Sequence, residues 1–425
     1  MPRHNILVAS IDGLRASSLG AYGNTAFATP SLDEFAAQSF LLDACFAPAM
    51  DLQGVYRALW KSFHPLRPLA SDMQVEDLPQ YFGSRGYVTS LITDDSDLPA
   101  FSAGEFTEIS GGGAAAEHNT PEARANELIE TAMARLFAAA CDAVLSETRS
   151  APRLMWLHSK GMYGRWDGPL ELQQSLRDEG DPPPVETVLP PDLTMGGADD
   201  PDAVFQYSCA YAAQVMVLDE CWKALMAAVD SVRSEDGWII VLIGARGFPL
   251  GEHGRIGGED PRLYGEQLHV PWLIRFPNGL GRLARSGALT SHFDLFPTIA
   301  AALEETSPAI LANVDGMDVA SLARSARFPW RDALLSASAT SRSIRTAGWY
   351  LRQDMPFGEI EAASSTGRPS GELFVRPDDR WEANDVAKLC TDTLDTLTEA
   401  FDNARQHLLR NEPIPKSVVA NSAAV

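Results

Sequence analysis

Short apolar runs alternate along the chain with longer stretches of helical periodicity. Residues 6–11 form a β-rich apolar run closed by Asp12-Gly13, which predicts a buried strand. Thr29-Pro30-Ser31 reads as a helix entry with Ser31 as N-cap, and Leu32, Phe35, Ala36 and Phe40 follow at helical spacing. A second helix is expected over 52–60, capped by Asp51. Further strands are expected at 86–92, 154–157, 238–243 and 270–276. Helices are expected at 122–145, 203–229 and 293–303. Strands alternating with helices argue for an α/β fold with a mostly parallel central sheet covered on both faces.

The pattern breaks in two places. From 169 to 202 Pro, Gly and Asp are dense, which predicts an irregular stretch, either a functional cover or disorder. After residue 331 the elements become short strands (343–346, 349–352, 373–375) followed by a last helix over 392–409. The expected organisation is an α/β domain over 1–330, a small C-terminal α+β subdomain over 331–415 and a frayed tail over 416–425.

Composition narrows the function classes. The 425 residues carry a formal charge of −23, and such an acidic field repels nucleic acid and anionic membranes. The five cysteines (45, 141, 209, 221, 390) include no CxxC pair, which fits a reducing compartment without a disulfide framework or a structural zinc site. The first apolar run is too short for a signal peptide, so a cytoplasmic protein is expected.

The motifs then add a resemblance. Asp12, Leu19-Gly-Ala-Tyr-Gly23 and Thr29-Pro-Ser-Leu-Asp33 are followed by Leu250-Gly-Glu-His-Gly254, Tyr264-Gly-Glu-Gln-Leu-His-Val-Pro271 and Asp294-Leu-Phe-Pro-Thr298. Fragments in this order resemble the sulfatase family of the alkaline phosphatase superfamily. The resemblance implies an alkaline-phosphatase-like α/β sandwich with a smaller C-terminal sheet domain. It also implies sulfate ester hydrolysis with a divalent cation, typically calcium, and a formylglycine nucleophile made from Cys or Ser.

The residues at the corresponding positions depart from that pattern. The family's paired acids after the first strand correspond to Asp12 and Gly13. Its acid and His or Asn after the core strand correspond to Ala245 and Arg246. The nucleophile motif falls on Gln53-Gly-Val-Tyr-Arg57, so Arg57 remains while Gln53 replaces the nucleophile. A carboxamide is no useful nucleophile. The first lysine falls in the acidic run Thr93-Asp94-Asp95-Ser96, the catalytic His near Tyr163 and the second lysine near Gly258, with Lys160 able to swing toward the site. His253 in Gly-Glu-His-Gly is expected to be a buried structural histidine.

Two readings follow from these positions. The first is a sulfatase-like pseudoenzyme with no intact catalytic residue and no metal or other cofactor. It would serve a binding, regulatory or scaffold role toward a small anion or a protein partner. Asp12 would then pair with Arg246 or Arg57. The alternative is an active sulfate, phosphate or phosphonate ester hydrolase with a rebuilt site, using calcium. Arg57 is open to an anion or to a structural ion pair, and Asp94, Asp95 and Asp97 are expected to form a solvated acidic loop.

Overall fold

The computed structural model describes residues 4–68, 76–102, 106–111, 124–146, 151–196, 200–232, 237–303, 313–325, 328–354 and 371–419. Its strands are β1 (Asn5–Ile11), β2 (Phe40–Phe46), β3 (Val88–Thr93), β4 (Glu108–Gly111), β5 (Arg153–Ser159), β6 (Asp192–Thr194) and β7 (Trp238–Gly244). They continue with β8 (Arg255–Gly257), β9 (His269–Arg275), β10 (Ala284–Ser291), β11 (Ala333–Ala337), β12 (Ser341–Thr346), β13 (Trp349–Asp354) and β14 (Gly371–Val375). The chain forms two compact units that interleave in sequence: Met1–Asp43 with Pro79–Gly258 and Val270–Arg285, and Ala44–Leu78 with Glu259–His269 and Ser286–Val425.

The first unit is organised by strands in the order β9-β7-β1-β5-β3-β4. Strand β1 lies parallel to both β5 and β7, and β7 pairs antiparallel with β9. Every residue of β7 is buried, as an apolar run covered on both faces requires. The carboxyl ends of β1, β5 and β7 are therefore neighbours, the place where open α/β sheets gather their functional loops. The helix α1 spans Pro30–Gln38, and its first backbone N–H groups are capped from outside. Asp219 accepts from Ser31 N at 3.2 Å and from Leu32 N at 2.8 Å. Ser31 thus lies inside the helix and is not its cap. Phe40 leaves the helical face: the Ser39 hydroxyl donates to Phe35 O at 2.7 Å and the chain turns into β2.

The long helix Pro201–Ser231 starts at Asp200, whose carboxylate accepts from Asp202 N and Ala203 N. The helix expected over 122–145 begins only at Ala132, capped by Thr131, because a short 3-10 turn occupies Leu128–Glu130. The stretch 169–202 is not structureless among its described residues. It holds a short helix, Leu170–Gln174, and β6, which pairs with β8. Arg124 pins it by donating to the carbonyls of Trp166, Gly168, Val185, Glu186 and Thr187.

The second unit carries an antiparallel sheet in the order β11-β12-β13-β14. The C-terminal helix Thr391–Leu409 buries Leu397, Ala400, Phe401, Ala404 and Leu408 in a core with Leu335, Ile344, Leu351 and Leu373. The helix Leu52–Lys61 also belongs here, and Asp51 caps it as expected, accepting from Gly54 N at 2.7 Å. Residues 416–419 are not frayed. Asp332 N donates to Lys416 O, and the Asp332 carboxylate accepts from Ser417 Oγ and Val418 N. Residues 420–425 of the expected tail lie outside the described residues.

Candidate functional site

Asp12 follows β1 directly and is almost fully buried. The Arg246 guanidinium, two residues beyond β7, occupies its carboxylate: Nε lies 3.0 Å from Oδ1 and 3.3 Å from Oδ2, and Nη2 lies 3.1 Å from Oδ2. Arg246 is itself 4% exposed. Burial pushes the Asp12 carboxyl above the usual carboxylate range, while the charge and hydrogen bonds of Arg246 pull it back. Of the two partners expected for Asp12, Arg246 is the one in place.

One neighbouring position is closed by backbone geometry. Gly13 has a φ of +74°, and a Cβ there would stand 2.8 Å from the Met162 Cβ. A second acid after Asp12 would need both a left-handed backbone and room that Met162 occupies. Ala245 is buried, with its N–H on Ile11 O at 2.9 Å.

The end of β5 supplies the opposite wall. Tyr163 lays its ring over the Arg246 guanidinium at 4.4 Å, a cation–π contact, and its hydroxyl donates to Gly247 O at 3.2 Å. The Lys160 backbone N–H donates to Asp94 Oδ1 at 2.8 Å, and Lys160 Nζ lies 3.8 Å from Asp95 Oδ1. The acidic run is therefore not simply solvated. Asp95 is buried, and burial pushes the Asp94 carboxyl up to about 6. Asp97 is exposed, and its N–H donates to Asp95 Oδ1. His158 is fully buried on β5, and burial together with Arg246 and Lys160 lowers it to about 3.

A hub that the motifs do not signal holds the loop after β1. The Tyr211 hydroxyl donates to Gly13 O at 2.8 Å, accepts from Arg15 N at 3.1 Å and lies 3.2 Å from Ser18 Oγ. Arg15 forms an ion pair with Glu252 of the Gly-Glu-His-Gly motif. Burial works against the Glu252 carboxylate, but the Arg15 charge together with hydrogen bonds from Arg15 and from backbone N–H groups, Leu250 N among them, holds it below its ordinary value. His253 is only half-buried, not the buried histidine expected. Gly258 has a φ of +66°, and a Cβ there would collide with the Arg255 guanidinium and the Asp192 carboxylate. A lysine there would need a left-handed backbone and a shift of both side chains.

Gln53 and Arg57 belong to the other unit. Gln53 is exposed on the first turn of its helix. Arg57 is half-buried and donates to the carbonyls of Arg67 and Pro65. Burial lowers its pKa.

A divalent cation does not fit this set. Calcium prefers about 6–8 oxygen ligands, several of them charged. Here one carboxylate, Asp12, stands where several are needed, and a guanidinium takes both of its oxygens. Among the described residues, no group of three or more His, Cys, Asp or Glu side chains is placed to hold a metal ion elsewhere. Likewise, no helix among them is long and apolar enough to cross a membrane.

Comparison with known proteins places this geometry. The sulfatase family model matches residues 4–305. A crystal structure of a phosphonate monoester hydrolase of Agrobacterium radiobacter matches with a TM-score of 0.74 and 16% identity, covering 96% of each chain. A protein solved in complex with its substrate D-glucosamine-2-N,6-O-disulfate matches with a TM-score of 0.68 and 16% identity, covering 97% of this chain and all of the other. At these identities the likeness shows the fold alone. An N-acetylglucosamine-6-O-sulfatase of Bacteroides thetaiotaomicron is 34% identical over 94 residues. That stretch is 22% of this chain and 16% of the relative's own length.

Proposed function

The chain belongs to the sulfatase family, and from that premise we propose that this member has given up metal-dependent sulfate ester hydrolysis and acts as a binding or regulatory protein. One observation carries the reading: the Arg246 guanidinium holds both oxygens of Asp12, where the family resemblance places a cation. A fixed positive charge satisfies the buried carboxylate without a metal. Ala245, Gly13 and Gln53 support the reading, since none of them offers a charged ligand or a nucleophile. The partner is a small anion or a protein, in the cytoplasm, and neither nucleic acid nor membrane. Purified protein is expected to turn over no aryl sulfate, phosphate or phosphonate monoester, with or without calcium, magnesium or manganese. Turnover that disappears in Asp12→Ala would overturn the proposal.

A second reading rests on Asp94. A carboxyl raised to about 6 and hydrogen-bonded to the Lys160 backbone has a pKa suited to general acid work near neutral pH. On this reading the protein is a hydrolase with a rebuilt site. Turnover that survives Asp12→Ala and is lost in Asp94→Asn would select it.

A further inference from the structure

We propose that Arg177 anchors a second anion site, built for a sulfate or phosphate group and separate from the Asp12–Arg246 pair. Arg177 follows the helix Leu170–Gln174 in the Pro-rich strap. Its Nε, Nη1 and Nη2 are all shut off from solvent, and none has a hydrogen-bond partner. Arg177 as a residue is partly buried, and several other arginines with buried heads among the described residues are paired. Arg246 meets Asp12, Arg67 meets Asp315, Arg331 meets Asp294 and Arg345 meets Glu382.

The Arg177 guanidinium lies 5.5 Å from the Phe205 ring. A ring face attracts the charge but accepts none of the five N–H donors of a guanidinium. Water does not reach these nitrogens either. An unpaired buried cation is costly, so the site is incomplete without an acceptor. The planar fork of an arginine matches an oxoanion through two parallel hydrogen bonds.

The in-chain rival is Asp181, which, like Arg177, acts electrostatically on Cys209. Its Oδ2 is already committed to the Asp178 N–H at 2.8 Å, in an exposed turn that passes through Gly180 at a φ of +100°. This turn gives the anion its way in. It lies on the surface, while the strap is tied back further along, where Gln206 Nε2 donates to Pro183 O at 2.8 Å and the Gln173 side chain meets both backbone groups of Val185. Displacing residues 178–181 therefore leaves the strap anchored.

Thermal unfolding in sodium sulfate and in sodium phosphate, against sodium chloride at matched ionic strength, tests the site. The wild-type protein is expected to gain about 1–3 °C in a saturable manner. Arg177→Gln should lose that gain and, without anion, unfold no lower than wild type. Arg177→Lys, which keeps the charge but not the fork, should show a weaker gain, and Asp181→Asn should keep the full one. Three results would overturn the proposal: no saturable gain in the wild type, the same gain in Arg177→Gln, or equal destabilisation of Arg177→Gln and Asp181→Asn without anion. The last result would mean that Asp181 is the partner of Arg177. None of these outcomes depends on whether Asp12 and Arg246 take part in catalysis.

Discussion

Arg246 reaches back across the sheet from the end of β7 and closes its guanidinium on the Asp12 carboxylate, Nε to Oδ1 at 3.0 Å and Nη2 to Oδ2 at 3.1 Å. Both partners are buried, so neither can fall back on water when the other is removed. Asp12→Ala is expected to cost about 3–5 kcal/mol, because it strands the Arg246 charge. The double replacement Asp12→Leu with Arg246→Met removes both charges and should cost far less. Urea denaturation of the single and double variants measures the difference. A double variant as unstable as Asp12→Ala alone would mean that the pair is not what holds these residues.

The helix Leu52–Lys61 depends on its first residue outside. Asp51 accepts from Gly54 N at 2.7 Å, and Asp51→Ala should lower stability by about 1 kcal/mol. Asp51→Asn, which keeps an acceptor oxygen, should recover most of it. Chemical denaturation of the two variants side by side checks the cap.

The buried histidines should work against stability in mild acid. His64 is buried as a neutral ring: Nδ1 accepts from Leu66 N at 3.1 Å and Nε2 lies 3.0 Å from Leu335 O. Burial lowers its pKa from 6.5 to about 4, and that of His158 from 6.5 to about 3. Below pH 6.5 the unfolded chain takes up these protons before the folded one does. The stability contributed by neutral histidine is therefore present above 6.5 and is lost as the pH falls toward the folded values. Asp94 acts with the opposite sign: its raised pKa makes its contribution shrink as the pH rises from 3.8 to about 6. Asp12, Asp219 and Asp315 are raised by burial as well and share the sign of Asp94, so the histidine contribution is read as a difference between wild type and a histidine variant. His64 alone accounts for about 3 kcal/mol. Between pH 7 and pH 4.5 the urea midpoint of the wild type should fall relative to that of His64→Gln.

The strap should loosen when its clip is cut. Arg124 holds the carbonyls of Val185, Glu186 and Thr187 as well as those of Trp166 and Gly168. Arg124→Ala leaves these groups to water, and limited proteolysis should cut between residues 175 and 196 several-fold faster than in wild type. Unchanged cleavage would show that Gln173 and the β6–β8 pairing suffice.

The elements with strong periodicity were legible from the chain alone: β1, β7, the 31-residue helix Pro201–Ser231 and the last helix all stand where their patterns put them. Strands β2, β10 and β11 were not. Phe40 continued the helical spacing of α1, and β10 opens with exposed polar residues that carry no strand signal. Ser31 failed as a cap because its rival, Asp219, is 188 residues away. At the site, the order of motifs pointed to Asp12 and Arg246, and their opposite charges predicted the pairing. The Tyr211 hub was not legible, because a tyrosine on a long amphipathic helix looks like any core aromatic until its hydroxyl meets Gly13 O. Nor does the sequence say that Gly13 and Gly258 favour glycine, since that follows from their positive φ angles and, at Gly13, from Met162 packed against it.

The central claim is that a guanidinium stands in place of a cation at Asp12. Isothermal titration of calcium into the purified protein tests it most directly. The Asp12–Arg246 pair predicts no saturable heat up to millimolar calcium and the same trace for Asp12→Ala. Saturable binding that vanishes in Asp12→Ala would contradict it.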